Sequence, residues 1–173
     1  MSGAGGGGGG NMPESWRSRL QRWGFNFFPT YRSTGAWITY IADDYREIRI
    51  RLPLSWRTKN YVGTLFGGSM YAAGDGVYMV MLIKNLGREY MVWDKSATVR
   101  FRKPARTTLY GRFVLAPEDI DDIRAATAGG EPVERVHRVA LVDRENVVHA
   151  EIEWLVHIRR KAARAPNPIT QEG

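Results

Sequence analysis

One segment, residues 67–86, limits most strongly what this chain can fold into. Between Ser69 and Ile83 its only charged residue is Asp75, and the neighbouring residues are small or apolar. Gly87 follows as a typical helix-ending residue. A helix that is apolar nearly all round has to be covered on most sides. We therefore predict one long helix over residues 67–86 in the centre of the domain, with a strongly curved sheet wrapped around it.

The sheet is predicted from segments in which apolar and polar residues alternate. Residues 35–42 and 45–53 form the expected first hairpin, with its turn at Asp43–Asp44. Four more strands are expected after the central helix, over residues 97–102, 108–116, 133–143 and 146–158. The polar segment 117–132 lacks strand periodicity and is predicted to be an excursion between strands. This order indicates an α+β fold in which about six antiparallel strands enclose a single long helix.

The segment 14–28 precedes the first strand and has the spacing of an amphipathic helix. Pro29 ends it, and its arginines lie away from the apolar side. The apolar side chains that share one face are Trp16, Leu20, Trp23 and Phe27. We expect this helix to pack on its own domain. The alternative is a basic amphipathic helix that lies on a membrane surface.

The composition excludes several kinds of site. The chain has no cysteine, so neither a disulfide nor a thiolate zinc site can form. Its three histidines, His137, His149 and His157, lie on late strands without metal-ligand spacing, and no metal site is expected. No apolar run reaches the roughly 20 residues that cross a bilayer, and the N-terminus lacks signal-peptide features. We expect a cytoplasmic protein without a transmembrane segment.

The net charge of +7 suits three classes of partner, namely nucleic acid, a membrane surface or a small anionic ligand. The basic residues are scattered along the chain, and no nucleic-acid-binding motif is present. Nucleic acid is therefore not an expected partner. Residues 1–13 are rich in glycine and are expected to be disordered, residues 14–161 to form the domain, and residues 162–173 to form a flexible basic tail.

The functional signal lies at the start of the predicted central helix. Asn60, Gly63, Gly67 and Gly68 are followed by Asp75, seven residues after the last of these glycines. This spacing resembles the signature of hotdog-fold acyl-CoA thioesterases, which reads Asn-x2-Gly-x2-His-Gly-Gly followed by a catalytic Asp or Glu. The thioesterases of phenylacetate pathways, and an uncharacterised thioesterase-like branch of the superfamily, resemble the chain in this respect.

The resemblance implies a hotdog fold and thioester hydrolysis. It assigns the catalytic carboxylate to Asp75 and the oxyanion-binding N–H groups to Gly67 and Gly68. Asn60 would orient the loop or the substrate carbonyl. The free N–H groups and the dipole of a helix N-terminus suit an oxyanion, and a carboxylate can act as a base or as a nucleophile.

Helix rise separates Asp75 from Gly67 by about 10–12 Å. That distance is long for two groups that act on one carbonyl. The resemblance implies that the site is shared by two protomers, so that the N–H groups come from one and the carboxylate from the other. We therefore expect a homodimer or a dimer of dimers.

Phe66 departs from the family pattern, which has histidine at this position. A phenyl ring cannot hydrogen-bond a substrate carbonyl, so Phe66 is expected to pack in the core or to line the acyl tunnel. Whether the protein is an enzyme stays open at this point. A non-catalytic hotdog protein that binds acyl-CoA or a lipid is the alternative to a thioesterase.

Four basic residues follow the central helix, on the next strand and at its exit. They are Arg100, Arg102, Lys103 and Arg106. Guanidinium and ammonium groups at a strand exit suit phosphates, and coenzyme A carries phosphates. We expect these side chains to bind the coenzyme A part of an acyl-CoA substrate, with no separate cofactor. The alternative is a solvated face of the sheet.

Overall fold

The computed structural model describes residues 14–161, which form a six-stranded antiparallel sheet and its helices. The predicted N-terminal segment 1–13 and the predicted tail 162–173 lie outside the described residues. The strands are β1 (Trp37–Ile41), β2 (Glu47–Leu52), β3 (Tyr90–Phe101), β4 (Leu109–Val114), β5 (Val133–Val142) and β6 (Val148–Arg160). The helices are α1 (Trp16–Phe27), α2 (Pro29–Ser33), α3 (Gly67–Gly74), α4 (Val77–Leu86) and α5 (Pro117–Ala126).

The strand order across the sheet is β1-β2-β4-β5-β6-β3, so β1 and β3 are its two edges. The long strand β6 shows why the sheet has one covered face. Its buried residues on that face are Ala150, Ile152, Trp154, Val156 and Ile158. Residues between them are less buried, which is the pattern of a strand with one face on the core and the other toward water. The predicted α+β fold with six antiparallel strands is confirmed.

The long central helix predicted over residues 67–86 is present, but it is interrupted and runs as α3 and α4. Asp75 follows α3 in an extended conformation, with φ −61° and ψ 129°. Gly76 then has a left-handed φ of 73° before α4 begins. Only glycine adopts this conformation at low cost, so Gly76 permits the break. Asp75 therefore lies at a break and not inside a continuous helix, which corrects the prediction on that point.

The central helices are covered by the sheet, as their apolar sequence predicts. Gly74 is buried at the end of α3, and a Cβ atom added there would lie 2.7 Å from the Trp154 ring and 3.1 Å from the Phe113 ring. In α4, Met81 and Leu82 are completely buried. The small residue at Gly74 thus lets the backbone of α3 lie directly on two aromatic rings of the sheet.

The polar segment 117–132 contains α5, which was not part of the predicted polar excursion between strands. Pro117 stands in the first turn, where proline is tolerated, and Asp119 accepts a hydrogen bond from the backbone N–H of Ala116. Ile120 and Ile123 are buried one turn apart. This pair of apolar residues at helical spacing, inside an otherwise polar segment, was the signal in the sequence.

Helix α1 is attached to the domain through its polar face. The Asn26 side chain is buried, accepts from the Ile38 N–H at 2.8 Å and donates to the Ile38 carbonyl at 2.9 Å. Ser18 donates to Asp43, and Gln21 bonds to the Tyr45 hydroxyl. The helix therefore packs on its own domain, as predicted, but it does so through its polar face and not through its four apolar side chains. Strand β1 is a sheet edge, and its unpaired backbone groups need polar partners, which the polar face of α1 supplies.

The apolar face of α1 lies on the surface instead. The exposed fractions are 70% for Trp16, 66% for Leu20, 51% for Trp23 and 53% for Phe27. Neither α1 nor any other helix within residues 14–161 is long and apolar enough to cross a membrane.

Candidate functional site

The loop before α3 is held by hydrogen bonds that involve Asn60. The Asn60 side chain donates to the Thr64 hydroxyl at 2.8 Å and accepts from the Thr64 N–H at 3.0 Å. Beyond this loop, Leu65 donates to the Ala105 carbonyl and Phe66 to the Thr58 carbonyl, both at 2.8 Å. Both ends of the Asn60 amide are thus used within the loop. Asn60 therefore holds the loop together through its side chain.

The first turn of α3 is open at its N-terminal end. Phe66 occupies the N-cap position and supplies no side-chain acceptor, so the N–H groups of Gly67 and Gly68 are not capped. A Cβ atom at Gly67 would lie 2.7 Å from the Phe101 ring, and one at Gly68 would collide with the Phe66 ring. The two glycines therefore make room for two phenyl rings that border the helix N-terminus.

Both rings are accessible from outside, since Phe66 is 55% and Phe101 is 58% exposed. Phe66 was expected in the core or in the wall of an acyl tunnel. The core position is wrong, and the ring lies at the entrance to the helix N-terminus.

A cavity of about 310 Å³ opens beside this turn. It joins four of the predicted site residues, namely Asn60, Gly67, Arg102 and Lys103. The remaining lining residues are Thr64, Leu65, Met70, Phe101, Pro104 and Ala105. Residues from the loop, from the start of α3 and from the exit of β3 therefore meet at one place.

The four predicted phosphate-binding cations differ in their surroundings. Arg102 is paired with Glu151 at 2.5 Å, whereas Lys103 has no carboxylate partner within residues 14–161. The Arg106 guanidinium lies 3.8 Å from the position of a Cβ atom at Gly63 and so approaches the same loop. Arg100 lines a different cavity, between Glu151 and residues of β5. The structure does not bring Arg100 to the helix N-terminus.

Asp75 lies at the opposite end of α3. Its side chain is exposed and accepts a hydrogen bond from the Tyr71 hydroxyl at 3.2 Å. Burial, followed by the negative charge of Asp75, raises the pKa of Tyr71, which therefore remains a donor at neutral pH. The rise over α3 places Asp75 about 12 Å from Gly67 along the helix axis. One protomer does not bring the carboxylate and the glycine N–H groups together.

A second carboxylate, Asp94 on β3, lies close enough to Asp75 to sense its charge. Burial, and next the charge of Asp75, raise the pKa of Asp94, while the backbone N–H of Gly76 acts in the opposite direction. Oδ1 of Asp94 is buried and has no hydrogen-bond partner among the described residues. The pairing with β6 shifts register immediately after Asp94, and such bulges occur often beside functional sites.

Asp75 also borders a largely apolar cavity of about 430 Å³. The cavity lies between the α1–α2 segment, the first hairpin and the two central helices. Its lining residues are Phe25, Phe28, Thr30, Tyr31, Ser33, Thr34, Ile38, Ile48, Ala72, Asp75, Gly76, Val77, Met79 and Val80. Tyr31 donates to the Ala73 carbonyl at 3.2 Å, so α2 is bonded to the end of α3. Burial raises the pKa of Tyr31, which keeps this hydroxyl a donor.

The three histidines have separate neighbours in the sheet. His137 stacks on Tyr78 with ring centroids 4.7 Å apart, and His157 stacks on Trp93 at 4.0 Å. His149 is 2.9 Å from a carboxylate oxygen of Asp143. Within residues 14–161, no three side chains of the metal-ligating types come together.

Residues 17–156 match the family described as a domain of unknown function, DUF4442. The chain belongs to this family. No curated protein matches the chain.

Solved structures share the fold of this DUF4442 protein. A Pseudomonas aeruginosa protein of unknown function, described as a probable thioesterase, has a TM-score of 0.73 and 20% identity, over 87% of this chain and 99% of that chain. A Haemophilus influenzae thioesterase has a TM-score of 0.63 and 13% identity, over 87% and 96%. A Chlorobaculum tepidum protein of unknown function has a TM-score of 0.66 and 12% identity, over 84% and 95%. The DUF4442 chain therefore has the hotdog fold.

Sequence reasoning missed two parts of the candidate site in this DUF4442 chain. The first is Asp94, which continues the inward side of β3 after the buried residues Tyr90 and Val92. A carboxylate on that side was a detectable signal. The second is the 430 Å³ cavity, whose walls come from segments far apart in the chain. No local pattern could have predicted this cavity.

Proposed function

We propose that this protein is an acyl-CoA thioesterase whose active site is assembled between two copies of the chain. The observation that carries the proposal is the separation of the catalytic groups along α3. The N–H groups of Gly67 and Gly68 lie at its first turn, and the Asp75 carboxylate lies at its other end. In the dimer, the N–H groups of one protomer and Asp75 of its partner act on the same thioester.

The unpaired edge of the sheet supports this dimer. Asn26 of α1 bonds to β1, so that edge has partners within the chain. Among residues 14–161, strand β3 pairs only with β6, on its inner side, and Ser96–Thr98 of β3 are exposed. An uncovered edge strand of this kind is a surface on which a second strand can add. We infer that β3 pairs with β3 of a second copy and continues the sheet.

The proposed reaction needs only protein groups, water and the substrate. Asp75 takes a proton from water as the oxygen attacks the thioester carbonyl carbon. The negative charge that forms on the carbonyl oxygen is stabilised by the N–H groups of Gly67 and Gly68 and by the positive end of α3. The carbon–sulfur bond then breaks, the sulfur takes the proton from Asp75, and a carboxylic acid and coenzyme A leave.

The two cavities suit the two parts of an acyl-CoA molecule. The 430 Å³ cavity is largely apolar and borders Asp75, so it is proposed to hold the acyl group. The 310 Å³ cavity borders Gly67 and contains Lys103, and Arg106 lies nearby. These cations are proposed to bind the phosphates of coenzyme A. Arg102 could bind a phosphate only if its ion pair with Glu151 were broken.

The first experiment measures thiol release from a panel of acyl-CoA substrates. Wild-type protein is expected to turn over at least one of them, and Asp75→Asn to lose at least about a hundredfold in kcat/KM. Asp121→Asn is the matched control, because Asp121 is an exposed carboxylate on α5 and its loss should leave turnover unchanged. Full turnover by a folded Asp75→Asn variant would contradict the proposed role.

A second experiment tests whether the site is shared. Gly67→Pro removes one candidate N–H at a position where proline is tolerated, because the preceding Phe66 is already extended. Gly67→Ala is the control, since it adds a Cβ atom and keeps the N–H. The two inactive variants, Gly67→Pro and Asp75→Asn, are then mixed and allowed to reassemble into dimers. Half of the dimers should contain one copy of each variant, and each of these has one intact site of its two. We therefore expect recovery of about a quarter of wild-type turnover. No recovery would mean that each protomer acts alone.

The second candidate function is acyl-CoA binding without hydrolysis. Phe66 favours it, because a phenyl ring stands where the resembling thioesterases have histidine. Calorimetry with the same acyl-CoA panel distinguishes the two functions. Saturable binding without thiol release supports the binding protein, and turnover that depends on Asp75 supports the enzyme.

A further inference from the structure

The exposed apolar side of α1 is a surface that the proposed function does not use. It consists of Trp16, Leu20, Trp23 and Phe27, and is called the aromatic face below. Trp23 and Phe27 stack on each other, with ring centroids 5.5 Å apart. We propose that the aromatic face docks on the surface of a membrane that contains anionic lipids.

Polar contacts with the first hairpin fix the orientation of α1. The buried residues of this helix are Ser18 and Asn26, and both bond to the first hairpin. Arg22 is also turned inward and pairs with Glu14 at 2.8 Å. The helix is therefore attached through polar contacts, and its apolar side points away from the domain. Rotating α1 to bury the aromatic face would break these contacts.

The charges beside the aromatic face are complementary to an anionic surface. The segment Trp16–Phe27 contains three arginines and no acidic residue. At 100° per residue, Arg17 and Arg19 flank the centre of the aromatic face by about 90° on one side and about 70° on the other. Both are exposed. An apolar stripe with arginines along its borders is the arrangement of a helix that lies in the plane of a lipid interface.

Further aromatic and basic side chains extend this surface beyond α1. Arg32 lies over the Phe27 ring at 6.0 Å and lines one cavity together with Trp37, Trp56 and Arg57. Trp56 is 87% exposed. Tryptophan is enriched where proteins meet the lipid headgroups, because its ring is apolar and its N–H is polar.

A second copy of the chain is a less suitable occupant. In a two-fold dimer the same surface meets itself. The arginine-bordered aromatic face would then pack against another arginine-bordered face, and like charges would oppose each other. Anionic lipid headgroups instead neutralise Arg17 and Arg19 while the acyl region accepts the rings.

Docking would also affect the cavity that borders Asp75. Phe28 follows the aromatic face directly, is 59% exposed and lines that cavity. The cavity would therefore open close to the lipid surface, which suits an acyl group that partitions into membranes. This consequence rests on the proposed function, whereas the docking itself does not.

The test is cosedimentation of the full chain with phosphatidylcholine vesicles, prepared with and without phosphatidylglycerol. Wild-type protein is expected to bind the anionic vesicles at least tenfold more tightly than the neutral ones. The double variant Trp23→Ala with Phe27→Ala should lose at least tenfold in affinity for anionic vesicles, because these exposed rings supply the apolar contact.

The arginines are tested separately. Arg17→Gln with Arg19→Gln should weaken binding about fivefold for each arginine removed. Arg88→Gln with Arg159→Gln lowers the net charge equally, but Arg159 lies on β6, toward the sheet edge opposite α1. This control is expected to bind like the wild type. An equal loss in the control would mean that total charge, and not the aromatic face, attracts the lipid.

Two other results would overturn the proposal. One is the absence of binding to either kind of vesicle. The other is a lower molar mass for the Leu20→Glu variant than for the wild type in light scattering. That result would show that a second copy of the chain covers the aromatic face. Because none of these measurements uses an acyl-CoA substrate, a failure here leaves the thioesterase proposal to its own tests.

Discussion

Two apolar helical regions of this protein have opposite surroundings. The central helices α3 and α4 are covered by the sheet, and Leu82 in α4 is completely buried. Helix α1 has an apolar face of four large side chains, and Leu20 on that face is 66% exposed. Apolar periodicity predicts that a face needs a partner, but it does not identify the partner. Helix α1 lies beside the edge strand β1, whose backbone groups need polar partners. The polar face of α1 therefore packs against the domain.

Substitutions of Leu82 and Leu20 test directly whether the two apolar surfaces differ in burial. Leu82→Ala is expected to lower the free energy of unfolding by about 2–5 kcal/mol, because it leaves a cavity in the core. Leu20→Ala should change it by less than about 0.5 kcal/mol, because this side chain is largely solvated. Chemical denaturation of both variants measures the difference. A large loss in Leu20→Ala would mean that the aromatic face is covered in solution.

The polar attachment of α1 can be tested at Asn26. Asn26→Ala removes a side chain that pairs with both backbone groups of Ile38, at 2.8 and 2.9 Å. We expect a loss of about 2 kcal/mol in the free energy of unfolding, because these groups lose their partner in a buried place. Gln21→Ala, a more exposed polar change on the same helix, should cost less. Equal effects of the two variants would argue against Asn26 as the main attachment.

Two glycine substitutions compare the backbone conformation at the break with that inside α1. Gly76→Ala at the break between α3 and α4 is expected to cost about 1–2 kcal/mol, because φ is +73° there. Gly24→Ala within α1 should stabilise the protein by about 0.5–1 kcal/mol, because alanine favours the helix and a Cβ atom there meets nothing within 4 Å. Thermal unfolding should therefore shift in opposite directions. A stabilised Gly76→Ala variant would mean that the helix is continuous in solution.

The smallest expected effect concerns Asp94, the half-buried carboxylate beside the break. Burial and the Asp75 charge raise the pKa of Asp94, so its charged form is disfavoured in the folded state. Above that raised pKa, Asp94→Asn should be more stable than wild type by about 0.5 kcal/mol, allowing for solvent screening. The gain should disappear as the pH falls below the ordinary value of 3.8. Urea denaturation at neutral and acidic pH measures the difference, and a gain independent of pH would contradict its electrostatic origin.

Much of the fold could be predicted because it follows from local pattern. Alternation in β6 placed Ile152, Trp154 and Val156 on one face, and all three are buried. The helix α5 was missed because its apolar signal is a single pair, Ile120 and Ile123, within a polar segment. The break at Gly76 was missed because a glycine in an apolar helix can stay helical or turn left-handed, and packing decides which.

For the candidate site, the sequence identified several of the residues, but it did not predict which cavity each side chain lines. The spacing from Asn60 to Asp75 identified both ends of α3, and four of the nine predicted site residues line one cavity beside Gly67. Arg100 was grouped with its neighbours in the sequence, although it lies inside β3 and lines another cavity, whereas Arg102 and Lys103 follow the end of that strand. Asp94 was not chosen, although it continues the inward side of β3, because only the fold brings this part of β3 beside Asp75.

The sequence by itself determined the α+β class, the six strands and the apolar nature of the central helix, because each depends on periodicity within one segment. Only the tertiary structure decided which side of α1 faces outward, where the central helix breaks and which side chains meet around Asp75. These outcomes depend on contacts between distant segments. The edge of β1 needed polar partners, and the rings of Trp154 and Phe113 needed a backbone without a side chain at Gly74.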